Sequence, residues 1–448
     1  RWERQLGRLL KASGQSEQAI QAYRRAVQTL QSIRNDVSFA YGNSLSYRSF
    51  RESEGPLFLE LADLLLEKSK SAPDPAAEQA LLLEARDTVE QLKSVELQSY
   101  FCDDCMDVQQ SKSRTLEAID KNTAVIYLIP LPTRTEVLVG LNSGLKRFEA
   151  PVGAEALTAE VRQFRRNLET RTSYEYLGQA QKLYSWLIQP IRPLLAANKI
   201  DTLVIVPDGA VRTIPFAALH NGEDFLIKEF AVATAPGLSM IDPKPIQVEK
   251  ARMLLNGVSD SVQGYDPLNF VRGELQSIEQ TYPSETLLNE SFTLSTLKKR
   301  LAYEQYSIVH IASHGQFDRD VRKTFVLTHD TKLTLNDLEA LIRPSQYRGR
   351  PVELLVLSAC QTAAGDDRAA LGLAGVAVKA GARSAVATLW FVNDESTSAL
   401  VTEVYHQLQG SGKSKAKAVQ AAQLKLLEER RYRHPCYWSP YLLIGNWL

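Results

Sequence analysis

Short apolar segments alternate with helix-like segments from Thr123 onward, and this alternation limits the possible folds more than any other feature. The strand-like segments are TAVIYLIPL, RTEVLVGL, DTLVIVPDG, RMLLNGV, YSIVHIA, ELLVLSA and SAVATLW. Several are apolar on both faces, which is typical of strands buried between two layers of helices. The pattern predicts an α/β fold in which helices flank a largely parallel sheet.

The first hundred residues are instead typical of helices alone. Two amphipathic segments are separated by ASGQS, and Gly7, Ala19, Tyr23 and Ala26 lie at the spacing of a tetratricopeptide helix pair. Two further helical segments follow, GPLFLELADLLLEKSK and AAEQALLLEARDTVEQLKS, and the breaker SAPDPA lies between them. We therefore predict an all-α, tetratricopeptide-like region before the sheet.

A chain of 448 residues is long enough for two or three domains. We place the helical region at residues 1–118 and the α/β domain at 119–448. Within that domain we expect an N-terminal half over 119–245 and a second half over 246–448.

Composition excludes several classes of function. Lysine plus arginine and aspartate plus glutamate both total 52, so no global field favours direct nucleic-acid binding. No apolar run approaches the ~18 residues that span a bilayer, and no secretory leader opens the sequence, so we expect a cytoplasmic protein. The His, Cys and carboxylate residues lack convincing metal spacing, and no cofactor is expected.

Four cysteines do not make a disulfide framework in a chain of this length. Cys102 and Cys105 form a CxxC pair, which could be half of a zinc site, a redox pair or two incidental thiols. The other two cysteines lie far downstream in different settings, which favours incidental thiols.

The strongest chemical signal is a histidine and a cysteine that each follow a predicted strand. His314 follows IVHIA and Cys360 follows LLVLSA, so both are expected at the same edge of a parallel sheet. A cysteine thiolate is a nucleophile, and a neighbouring imidazole can move its proton. The backbone N–H groups of Gly315 and Cys360 are the candidate donors to an oxyanion.

Each residue also has an ordinary structural interpretation. A single histidine after a strand is more often structural than catalytic, and a cysteine in LSAC is more often a small buried hydrophobe. His310 is a local rival for His314, but it lies inside the predicted strand.

Several blocks of the sequence together resemble the CHAT domain, the caspase- and separase-like peptidases often found with tetratricopeptide repeats. The blocks are LVIVPDGAVRTIPFAAL, YSIVHIASHGQFD, LTLNDLEAL, ELLVLSACQTAAGD, LGLAGVAVKAGARSAVATLWFVNDESTSALVTEVYHQL and HPCYWSPYLLIGNW. The resemblance runs from about residue 120 to the end of the sequence. It implies a caspase-like sheet whose His-Cys dyad hydrolyses peptide bonds through an acyl-enzyme.

The resemblance also implies roles for individual residues. The family histidine and cysteine correspond to His314 and Cys360, and Ser358 takes the place of a residue that lines the caspase specificity pocket. Asp394 corresponds to an acidic residue that pairs with a basic substrate side chain in separases, although NDES is also typical of a helix N-terminus. Asp318 could orient the imidazole or contact substrate, but a plain loop carboxylate is favoured.

The sequence thus predicts a cysteine endopeptidase that cleaves after Arg or Lys in protein or peptide substrates. Regulation is expected through proteolytic processing or through a protein partner of the helical region. The alternative is a non-catalytic scaffold in which the helical region and the caspase-like domain bind partners.

Overall fold

The computed structural model describes most of the chain. The described residues are 2–38, 53–101, 120–246, 251–347, 349–362, 366–409 and 413–448, with the backbone alone for 34–38 and 359–362. In the described part of the helical region, the helices are α1 (Trp2–Ala12), α2 (Ser16–Ser38), α3 (Gly55–Ser69) and α4 (Pro75–Phe101). Cys102 and Cys105 lie outside the described residues.

Helices α1 and α2 form an antiparallel pair on either side of the predicted break at ASGQS. A Cβ atom on Gly7 would lie 2.7 Å from the ring of Tyr23, so only glycine allows this close approach. Ala19 and Tyr23 are buried on the facing side of α2. The predicted helical N-terminal region is therefore confirmed, and its small residues lie where the helices pack most closely.

Helix α4 is buried against the α/β part of the chain through polar contacts. The Lys93 ammonium donates to the carbonyl of Pro207 at 2.6 Å, and the Arg212 guanidinium donates to Glu96 at 2.6 Å. The Tyr127 hydroxyl donates to the Glu90 carboxylate at 2.7 Å. These side chains have little solvent exposure, so α4 packs on the sheet as a core helix does.

One mixed sheet of thirteen described strands forms the centre of the molecule. The strands are β1 (Thr123–Pro130), β2 (Thr135–Leu141), β3 (Gly144–Ala150), β4 (Thr202–Val206), β5 (Ala231–Thr234), β6 (Met253–Gly257), β7 (Ser284–Leu288), β8 (Ile308–Phe317), β9 (Phe325–Leu327), β10 (Lys332–Thr334), β11 (Leu354–Thr362), β12 (Ser384–Thr388) and β13 (Tyr441–Gly445). Their order is β10-β9-β8-β11-β12-β13-β5-β4-β1-β2-β3, and β6 pairs with both β7 and β8.

Strand β13 joins the two halves of the sheet. It pairs antiparallel with β12 and parallel with β5, so the half built from β1 to β5 meets the half that contains β8 and β11 along this strand. Strands β1, β2 and β4 are buried along nearly all of their length. The predicted apolar strands are thus present and lie in the interior, as sheets flanked by helices require.

Helices cover both faces of the sheet. They are α5 (Ala154–Glu169), α6 (Tyr176–Leu187), α7 (Arg192–Ala197), α8 (Val271–Glu279), α9 (Leu294–Tyr303), α10 (Leu335–Tyr347), α11 (Asp367–Ala374), α12 (Val376–Ala380), α13 (Asp394–Gln409) and α14 (Lys415–Glu428). A short 3₁₀ turn that contains a proline divides α6 from α7. In the described part of the chain, no helix has the length and hydropathy needed to cross a bilayer.

Candidate active site

His314 lies where β8 changes one of its two neighbours. The first half of β8 pairs with β6 as far as Gly257 and Ala312, whereas Gly315 pairs with Val326 of β9. At the end of strand β6, helix α8 packs so closely that a Cβ atom on Gly257 would lie 2.7 Å from Val271. Residues 259–270, the β6–α8 loop, leave the sheet at this point. A crevice beside His314 is the expected result, because neighbouring strands diverge here.

Cys360 lies on the next strand, β11, which runs parallel to β8. The register pairs Ala359 with His314 and Cys360 with Gly315. Cys360 is therefore one position out of step with His314 on a strand about 4.8 Å away, and in a regular ladder two such positions would face opposite sides of the sheet. A register shift between Leu357 and Ala359 interrupts the regular alternation just before this position. The backbone thus brings the two sequence-predicted residues to one place in the sheet.

The strands extend further than the sequence pattern indicated. We expected β8 and β11 to end just before His314 and Cys360, but β8 continues to Phe317 and β11 to Thr362. Pairing with β9 accounts for the extension of β8, because Gln316 pairs with Phe325. Both residues consequently lie within paired strands rather than on free loops.

The imidazole of His314 is fixed by the β6–α8 loop. Its Nε2 lies 2.8 Å from the carbonyl oxygen of Asp266. A carbonyl oxygen can only accept a hydrogen bond, so Nε2 is the donor, and in a neutral imidazole the free lone pair is on Nδ1. The ring also lies between Tyr265, with centroids 5.1 Å apart, and Phe391, which is nearly parallel to it at 6.4 Å. The orientation of the ring therefore leaves Nδ1 able to accept a proton when the imidazole is neutral.

Asp394 lies at the start of α13, within electrostatic reach of His314. Its Oδ2 accepts a hydrogen bond of 2.7 Å from the backbone N–H of Phe270. Burial raises the pKa of the Asp394 carboxyl, the Phe270 N–H lowers it, the Glu274 carboxylate raises it and His314 lowers it. These influences require that Asp394 and His314 lie near each other. Asp394 is thus a half-buried carboxylate close to the candidate base.

The alternative interpretation of NDES as a helix start applies chiefly to Asn393. Its side-chain Oδ1 accepts from the N–H of Ser396 at 3.2 Å, and its carbonyl accepts from the N–H of Thr397 at 3.0 Å. Asn393 is therefore the N-cap of α13. Asp394 instead contacts the beginning of α8, and among the described residues its Oδ1 has no hydrogen-bond partner.

The other two predicted substrate-binding residues differ in setting. Ser358 is buried on β11 just before Ala359, and its hydroxyl has no hydrogen-bond partner among the described residues. The Asp318 carboxylate accepts from the Gln316 side chain at 3.2 Å and from the N–H of Asp320 at 2.9 Å. Both contacts of this carboxylate lie within its own turn.

Sequence reasoning missed a buried polar cluster behind the crevice. His310 Nε2 lies 3.0 Å from the Glu274 carboxylate, and His310 Nδ1 lies 3.3 Å from the Tyr405 hydroxyl. His310 is fully buried, consistent with its position inside a strand. His310 packs in the core, whereas the negative charge of Glu274 raises the pKa of Asp394.

One group of carboxylates among the described residues has a spacing that a metal ion could use: Glu67, Glu136 and Glu149. Arg134 and Arg147 donate to Glu136 at 2.6 and 2.5 Å, so guanidinium groups already occupy this carboxylate. The cluster is an ion-pair network between α3 and the β2–β3 hairpin.

Cys436 is a free, buried cysteine, and burial raises the pKa of its thiol to about 12.

Comparisons with known proteins concern the family and the fold of the chain. The sequence matches the family described as CHAT domain over residues 177–446. No curated protein sequence matches the chain significantly. Among solved structures, Saccharomyces cerevisiae separase in its complex with securin is similar with a TM-score of 0.54 and 9% identity, over 96% of this chain and 37% of that one.

A second structure of the separase–securin complex gives a TM-score of 0.49 at 10% identity, over 96% of this chain and 40% of that one. The Arg-specific cysteine proteinase gingipain R gives 0.41 at 8% identity, over 65% and 74%. This chain spans about two fifths of the length of the separase chains. The likeness to separase at a TM-score of 0.54 is one of fold, and it confirms the predicted caspase-like sheet flanked by helices.

Proposed function

The chain belongs to the CHAT domain family, and on that premise we propose that it is a cysteine endopeptidase with His314 and Cys360 as its catalytic dyad. The observation that carries this proposal is the backbone register, which pairs Cys360 with the residue that follows His314. The hydrogen bond from His314 Nε2 to the Asp266 carbonyl adds support, because it leaves Nδ1 able to accept a proton.

The proposed reaction follows the chemistry of a thiol nucleophile. Cys360 Sγ forms a bond to the carbonyl carbon of the scissile peptide, and its proton passes to His314 Nδ1. The N–H groups of Gly315 and Cys360 stabilise the oxyanion. His314 then gives the proton to the leaving amine, and the C–N bond breaks to leave a thioester. Water attacks the thioester, transfers a proton through His314 to the sulfur, and releases the carboxylic acid.

Asp394 is the proposed determinant of a basic P1 residue. A half-buried carboxylate with one unpaired oxygen favours a guanidinium, which supplies two parallel N–H donors, over the single ammonium of lysine. Phe270, whose N–H contacts this carboxylate, and Phe391, three residues before Asp394, are both exposed and can cover the apolar part of an arginine side chain. Ser358 and Asp318 stay predicted contacts on the substrate side of the site.

Helix α4 offers a physical route for regulation by a partner of the helical region. The Tyr100 hydroxyl donates to the carbonyl of Asp318 at 2.7 Å, just after the strand that carries His314. A Cβ atom on Gly372 would lie 2.3 Å from the same hydroxyl, and α11, which contains Gly372, follows the strand of Cys360. Movement of α4 would therefore shift the supports of both dyad strands.

The decisive experiment compares peptide cleavage by the unmodified chain, Cys360→Ala, His314→Ala and His406→Ala. His406 is a matched control because its side chain is 71% exposed and it lies far along α13. We expect both dyad variants to lose cleavage of an arginyl peptide while their circular dichroism stays unchanged, and the control to stay active. Equal turnover in all four proteins would refute the dyad.

An arginyl electrophilic peptide distinguishes the peptidase from a non-catalytic scaffold. Covalent labelling that disappears in Cys360→Ala is the expected result. Labelling absent from the unmodified chain, both alone and after binding of a partner to the helical region, would favour the scaffold.

The P1 proposal is tested with Asp394→Asn against Glu395→Gln, since Glu395 is the next residue and pairs with Arg431 at the surface. Only Asp394→Asn should raise KM for arginyl substrates. Burial raises the pKa of Asp394, so this carboxyl becomes protonated at a higher pH than an ordinary aspartate does. As the pH is lowered, KM for arginyl substrates should therefore begin to rise earlier than an ordinary aspartate would allow. A KM profile identical in Asp394→Asn and the unmodified chain would contradict the assignment.

A further inference from the structure

A buried arginine from the N-terminal half of the α/β domain reaches the loop that leads to Asp394. Arg165 lies on α5, and its side chain is nearly inaccessible to solvent. The guanidinium donates one hydrogen bond of 2.6 Å to the carbonyl of Thr213 and another of 2.6 Å to the carbonyl of Leu389. Its Nε donates to Glu169. Arg165 therefore connects α5 to the end of strand β12.

The same guanidinium lies over an aromatic ring in this loop. The Arg165 Cζ atom is 4.5 Å from the centroid of Trp390, and the Trp390 indole N–H donates to the carbonyl of Cys436 at 3.2 Å. A cation over an indole face is attracted by the ring quadrupole, most strongly when both are desolvated. Leu389 and Trp390, the first two residues after β12, are thus held by contacts with residues outside the loop.

The residues that follow are those of the proposed specificity site. Phe391 is 41% exposed and lies nearly parallel to the His314 ring. Asn393 caps α13, and Asp394 begins that helix. The loop is therefore fixed at its start by Arg165 and at its end by the capped helix, and Phe391 and Asp394 depend on both attachments.

We propose that Arg165 is a positioning residue for P1 recognition, which fixes Leu389 and Trp390 so that Phe391 and Asp394 face the substrate side chain at a constant spacing. This inference rests on the proposed function. A guanidinium suits the role because one planar group bonds two carbonyls and stacks on an indole at once. A lysine at this position would offer a point charge without the planar contact.

A purely structural role for Arg165 would have a different signature. Arg165 also holds the carbonyl of Thr213, so any substitution is expected to lower the melting temperature. Stability alone therefore does not test the proposal. The informative quantity is the ratio of activities toward different P1 residues, measured together with the reactivity of Cys360 toward a reagent that has no P1 group.

The experiment compares Arg165→Lys with Arg166→Lys, an exposed neighbour on the same helix. Peptides that differ only in P1 Arg, Lys or Ala give kcat and KM, and iodoacetamide gives the alkylation rate of Cys360. We expect Arg165→Lys to lose about tenfold to a hundredfold in kcat/KM for P1 Arg, mainly through KM, because a displacement near 1 Å has an effect of this size. Cys360 alkylation and the Arg166→Lys control should match the unmodified chain.

Trp390→Phe provides a second variant, which keeps an aromatic ring but removes the donor to Cys436. It should shift P1 selectivity in the same direction by a smaller factor, and it decides the question if Arg165→Lys does not fold. An unchanged ratio of kcat/KM for P1 Arg to kcat/KM for P1 Lys would overturn the inference. So would an equal fall in kcat/KM for all P1 residues accompanied by a fall in the alkylation rate of Cys360. Failure of the unmodified chain to cleave any peptide would instead refute the proposed function.

Discussion

Substitution of Glu90 by glutamine should destabilise the sheet as well as the helix that carries Glu90. Glu90 is a buried residue with 7% of its surface exposed, and its two carboxylate oxygens accept four hydrogen bonds. Oε1 accepts from the Tyr127 hydroxyl at 2.7 Å and the Leu238 N–H at 2.8 Å. Oε2 accepts from the Ser239 N–H at 3.1 Å and its hydroxyl at 2.6 Å.

Glutamine can satisfy only half of these donors, because its amide nitrogen donates and does not accept. With the amide nitrogen toward Ser239, the hydroxyl can rotate to accept, but the hydrogen bond from the Ser239 N–H to position 90 is lost. Hydrogen bonds to charged groups contribute about 1.5–3 kcal/mol each. The loss of one or two of them, partly offset by removal of a buried charge, gives a destabilisation of about 3 kcal/mol.

The assay is urea unfolding of Glu90→Gln, followed by tryptophan fluorescence and by far-ultraviolet circular dichroism. Four of the five tryptophans, at positions 186, 390, 438 and 447, lie in the α/β part of the chain, so fluorescence reports on the sheet. Because α4 is buried against that sheet, both signals should shift together to lower urea concentration. Glu78→Gln, near the start of the same helix, should leave the midpoint unchanged.

This reasoning would be refuted if urea unfolding showed two transitions and only the circular dichroism transition of the helices moved to lower urea concentration. That result would mean that α4 unfolds with residues 1–118 as an independent unit. An unchanged midpoint would contradict the energetic estimate for the four hydrogen bonds.

Three further predictions concern stability. Tyr100→Phe removes the donor to the Asp318 carbonyl and should lower the unfolding free energy by about 1 kcal/mol in urea titration; no change would show that water replaces the hydroxyl. Gly372→Ala forces a Cβ atom against Tyr100 and should cost about 1–3 kcal/mol, whereas Gly178→Ala, with open space around it, should not destabilise. Burial lowers the pKa of Lys415 to about 7, so the unfolded chain binds more protons between that pH and about 10.4 and stability should rise with pH there. Lys415→Met should abolish that rise in melting temperature, and an identical pH profile in the variant would contradict the assignment.

The interior of the sheet was largely predictable from sequence because fully buried strands are continuous apolar runs. Strand β13 carries such a run, YLLIG, but it has only five residues, and its partners lie more than fifty residues away along the chain. Strand β5 has four residues, and β7 is only partly buried. Such segments depend on tertiary pairing, which local periodicity does not report.

The candidate site divides in the same way. His314 and Cys360 could be found because their side-chain chemistry is rare and each follows an apolar run. The Asp266 carbonyl could not, because every residue has a carbonyl and only the path of the β6–α8 loop brings this one to His314. The role of Arg165 was likewise hidden, since its contacts lie 48 and 224 positions away in the chain.

The position of β13 between β12 and β5 has a consequence for biosynthesis. A ribosome delivers residues 441–445 after every other described strand, so the growing chain holds two partial sheets with complementary open edges until then. Those edges can pair with other nascent chains as readily as with β13. A translation stop before residue 441 would leave both edges exposed, and such a product should be captured by chaperones or degraded.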